Sequence, residues 1–178
     1  MTAEISHDIK VALSYIEDAK RKLTQIRQEY TGGLLARAAE NILNSELVSA
    51  DEYLQKATDS DETITSVRCK LVQAQALILI QVAFELDKQT ELYEVNDEYI
   101  HWMCKAAEKH KELVRLQGDQ HNYFNFGVSL FCCHRDAEAL EAFQIAERGE
   151  DEQIAIKATK MIAEIKTRLE EERRRTEG

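Results

Sequence analysis

Residues 123–146 read YFNFGVSLFCCHRDAEALEAFQIA, and the order of large and small side chains in this stretch decides the fold. Tyr123 is followed three residues on by Phe126, then at once by Gly127, with Leu130 three further. Beyond the polar turn His134-Arg135-Asp136, Ala139 leads to Phe143 and then Ala146. Spacings of three and four residues gather side chains on one helix face. Because Gly127 and Ala139 carry almost no side chain, two helices can approach closely there while Phe126, Leu130 and Phe143 fill the space around them. The stretch predicts a tight antiparallel helical hairpin.

Composition extends that reading to the whole chain. There is no proline among 178 residues, only 6 glycines, and 31% of the residues are charged, a balance that favours long uninterrupted helices over strands and turns. The length suits one domain with its own core. A net charge of −10 argues against nucleic acid or an anionic membrane as the main ligand, since phosphate binding needs a basic face. The N-terminus MTAEISHDIK has no apolar signal-peptide core, and the run from Ala76 to Phe84 is too short to span a bilayer, so a cytoplasmic protein is expected. Cys69, Cys104, Cys132 and Cys133 lack the paired spacing of a zinc site and are expected as reduced thiols. No metal, no cofactor and no catalytic residues are expected, because no phosphate-cradling glycine loop, nucleophile elbow or HExxH is present.

The large and small pattern of 121–148 resembles the tetratricopeptide repeat, whose W-x2-L-G-x2-Y…A-x3-F signature records two helices packed face to face. That family usually places glycine in the turn, where this chain has His134, and proline after the second helix. The resemblance implies an all-α fold of antiparallel helical hairpins stacked as a short array, and a protein-binding groove in place of an active site. Family members that clamp the acidic tails of heat-shock chaperones use lysine, asparagine and arginine on faces where this chain has Ala36, Glu40, Phe124 and Val128. An apolar groove with an acidic surround is similar to that of the small acidic chaperones that escort secretion translocators.

The remaining segments are read by periodicity as a single helical domain over 1–178. An N-terminal helix over 2–31 carries Ile5, Ile9, Ala12, Ile16, Ala19, Leu23, Ile26 and Tyr30, a heptad seam. The seam packs along neighbouring helices of the same chain or, as the alternative, mediates self-association through Ile9, Ile16, Leu23 and Ile26 in a structural homo-oligomer. Gly32-Gly33 stops this helix and forms a hinge. Tetratricopeptide-like hairpins are expected over 34–148. These begin with helices at 34–44 and 50–58, the second opened by a Ser49/Glu52 capping box. A long, largely buried helix follows over 63–89, then a helix capped by Asn96 and stopped by Gly118, with Trp102 as a core anchor. The helix from 120 to 134 has a second apolar face, Phe124, Val128 and Phe131, which Ile80 and Phe84 of the long helix continue. These five residues are the candidate surface for a helical or extended segment of another protein. A capping helix over 151–175 closes the array, with a frayed charged end beyond Leu169.

Overall fold

In the computed structural model, which describes residues 5–87 and 97–177, every regular element is a helix, and the described residues form eight of them. They run α1 His7–Glu29, α2 Gly32–Asn44, α3 Glu46–Lys56, α4 Asp61–Asp87, α5 Asp97–Leu116, α6 Gln120–Cys132, α7 Asp136–Glu147 and α8 Glu152–Thr176. The fold is all-α and made of packed helical hairpins. Two compact units divide the chain, 1–109 and 110–178, with the boundary inside α5. The Asn96 cap and the connection before it lie outside the described residues.

In the first unit the central part of the heptad seam is buried, while Ile5 and Tyr30 at its ends are exposed. Ile9, Ala12, Ile16, Ala19 and Leu23 are buried, and α1 packs against α2, α3 and α4. Their cluster includes Leu47, Leu54, Leu71 and Ile78, with Ile26, Tyr53 and Trp102 packed at its edge. Self-association through Ile9, Ile16 and Leu23 would require opening this core, whereas Ile26 stays half-buried at its edge. Ser6 caps α1 by accepting the Ile9 amide at 3.3 Å, and its own amide donates to the Asp59 carboxylate at 2.9 Å. Hydrogen bonding from Ser6, first through its side chain and then through its amide, holds Asp59 below the usual carboxylate range, and the amide bond ties the turn before α4 to the start of α1.

Gly32, the first residue of α2, has φ 56°, the left-handed region that the paired glycines predicted. The Ser49/Glu52 capping box does not form. α3 begins at Glu46, three residues before Ser49, whose amide already donates to the Ser45 carbonyl at 3.0 Å inside the helix. The physical reason is burial: Leu47 joins Ala50 and Leu54 on one buried stripe, and extending the helix backwards puts that leucine into the core.

The second unit realises the opening hairpin. α6 packs on α7, and α8 packs on both. A Cβ placed on Gly127 would lie 2.9 Å from the Phe143 ring, so the helices meet where the missing side chain permits it. The turn is closed by His134 at φ 57°, with the Arg135 amide donating to Leu130 at 2.9 Å and the His134 amide to Phe131 at 3.1 Å. These two bonds are a Schellman arrangement, with histidine in the position that usually holds glycine. The α7–α8 turn is clamped by Gln120, whose amide nitrogen donates to the Ala146 carbonyl at 2.8 Å and whose oxygen accepts the Asp151 amide at 2.8 Å. α8 stays helical to Thr176 as an exposed charged helix, where fraying was expected beyond Leu169.

Candidate functional site

The candidate aromatic surface divides between the two units. Phe124, Val128 and Phe131 are in the second unit and each is half-buried there. The Phe124 ring meets the Phe143 ring edge-on at 5.5 Å, and the Arg168 guanidinium lies 4.2 Å over the Phe131 ring. The same guanidinium pairs through two nitrogens with Asp136, a nearly buried carboxylate in the first turn of α7. Phe124 is thus covered in part by α7 and Phe131 in part by α8. Helical spacing identifies a face but does not say which later helix folds over it.

Ile80 and Phe84 are in the first unit, on a helix with two buried faces. Val67, Leu71, Ala74, Ile78 and Val82 of α4 enter the core cluster, while Val72, Ala76, Leu79 and Ala83 are buried on another side. Between those faces runs an outward stripe at helical spacing: Leu77 is 50% exposed, Ile80 half-buried, and Phe84 46% exposed, with Gln73 exposed beside them. The Phe84 ring lies 6.0 Å from the Tyr99 ring. Leu77 was missed by the sequence reading because a helix apolar nearly all round gives no sign of which leucine stays outside. By length and composition α4 could also cross a membrane, but 56% of the relevant window is buried inside the protein.

The titratable group that stands out by burial is a histidine of the second unit. His110 is buried beside Ser129, their Nδ1 and Oγ 2.8 Å apart. Loss of water on burial, reinforced by the nearby His121, pushes the His110 pKa down to about 4, so the imidazole is neutral at pH 7. A histidine beside a serine has the composition of a nucleophile and its base, but Ser129 is only 1% exposed. The four cysteines are free, and no group of three or more metal-ligating side chains occurs among the described residues.

No protein-family model, curated protein or solved structure matches this chain. The exposed stripe on α4 is accordingly read from its own chemistry.

Proposed function

We propose that this chain is a non-enzymatic protein-interaction module, an adaptor or small chaperone of tetratricopeptide-like hairpins, that holds a segment of a partner protein on the outer face of α4. The observation that carries this reading is the stripe Leu77, Ile80 and Phe84, exposed or half-exposed apolar side chains on a helix whose other faces are buried. Large apolar side chains aligned at helical spacing and open to water offer the kind of surface that a helical or extended partner segment can cover. The close α6–α7 packing at Gly127 supports the tetratricopeptide-like part of the reading.

The test places a photo-crosslinking residue at the exposed Gln73 position in the native cells, with and without Leu77→Ser and Phe84→Ser. The expected result is a defined crosslinked partner that disappears in the double variant while its thermal stability stays at the wild-type value. An unchanged crosslink would refute the stripe as the binding face. Unfolding of the double variant would refute it as a free surface.

A further inference from the structure

The first unit holds a second feature, separate from the α4 stripe. A cavity of about 460 Å³ opens among α2, α3, α4 and α5, with Leu43, Val48, Leu79 and Trp102 in its walls. Val48 is 46% exposed, and Trp102 is the one tryptophan of the chain. Lys105 projects its ammonium over the indole, 4.3 Å from the ring centroid. Glu40, Glu108 and Lys109 complete the charged rim. Glu108 and Lys109 are engaged in other polar interactions, whereas Lys105 is held by the ring and meets no carboxylate among the described residues.

We propose that this cavity binds a small apolar monocarboxylate, its hydrocarbon part against Trp102, Leu43 and Leu79 and its carboxylate on the Lys105 ammonium. Concave sites of this size draw affinity from apolar walls and orientation from a few placed polar groups. A lysine held over an aromatic face has given up part of its freedom before the ligand arrives, so pairing with an anion costs less ordering. Glu40 on the same rim repels a second negative charge, which selects one carboxylate over two.

The test titrates the full chain with decanoate, decanol and decylammonium and reads Trp102 fluorescence, which has no other tryptophan behind it. The expected result is one saturable site that takes decanoate about tenfold more tightly than decanol and decylammonium least, a margin worth about 1.4 kcal/mol. Lys105→Gln, a change at an exposed position whose fold is checked by circular dichroism, should remove that margin and leave decanol binding unchanged. Val48→Phe should weaken decanoate and decanol alike by narrowing the cavity. Equal binding of decanoate and decanol, tighter binding of decylammonium, a signal that never saturates, or a margin that survives Lys105→Gln would each overturn the proposal. None of these outcomes bears on the α4 stripe, which is tested by crosslinking.

Discussion

Substituting alanine for Gly127 sets two effects against each other within one residue. Glycine inside a helix is disfavoured relative to alanine by about 1 kcal/mol, so at an open position the change would stabilise the protein. Here the new methyl would stand 2.9 Å from Cδ1 and Cε1 of Phe143 and 3.0 Å from Cζ. Phe143 is fully buried, and its ring has the Phe124 ring at 5.5 Å, so it has little room to retreat. Overpacking of this kind costs about 1–3 kcal/mol, and the net expectation is a loss of roughly 1 kcal/mol. In a Phe143→Leu background the obstruction shrinks, and the same alanine should become stabilising. The two changes should be coupled by about 1–3 kcal/mol in a double-mutant cycle. Urea unfolding of the full chain followed by far-ultraviolet circular dichroism measures all four corners. Trp102 fluorescence tracks the first unit separately, which shows whether one transition describes the whole chain. If Gly127→Ala stabilises both backgrounds equally, the ring is not packed on that glycine and the hairpin geometry is wrong.

Other perturbations separate the remaining forces. His134→Gly should raise stability by about 0.5–1 kcal/mol in urea unfolding, because φ 57° strains a side chain more than it strains glycine. Acid should destabilise the second unit: unfolded His110 titrates near its ordinary value of 6.5 and folded His110 near about 4, so the stability held above pH 6.5 is lost as pH falls to 4. That loss approaches roughly 3 kcal/mol, and His110→Gln should flatten the thermal midpoint across the same interval. Arg168→Ala removes both the Asp136 pair and the cover over Phe131, and about 1–2 kcal/mol should be lost in denaturant unfolding. Ile16→Ser with Leu23→Ser should unfold the first unit, as seen in Trp102 fluorescence, and light scattering should show no folded monomer released from a dimer.

The residues around Gly127 were informative because a gap and the ring that fills it, Phe143, occur in one local hairpin, where spacing and size are both visible in sequence. The seam of α1 was equally plain as a pattern, but its partner was not. Residues 9 to 26 display one apolar face whether the cover is α3 and α4 of the same chain or a second copy, and only the folded core distinguishes them. α4 posed the opposite difficulty. With apolar residues on most sides it offers no periodic signal, so Leu77 and Phe84 become outward residues only when neighbouring helices occupy the other faces.

By itself the amino-acid sequence determined an all-α chain, the extent of most of its helices, and the tight α6–α7 hairpin, since each depends on local propensity and on side chains a few residues apart. Tertiary structure decided what covers each apolar face: that Arg168 closes over Phe131, that His110 is buried against Ser129, and that Lys105 lies over Trp102 beside a cavity. The first two join residues at least 19 positions apart. The cavity draws its walls from four helices. Such juxtapositions arise from the relative placement of whole helices, which no single stretch of sequence encodes.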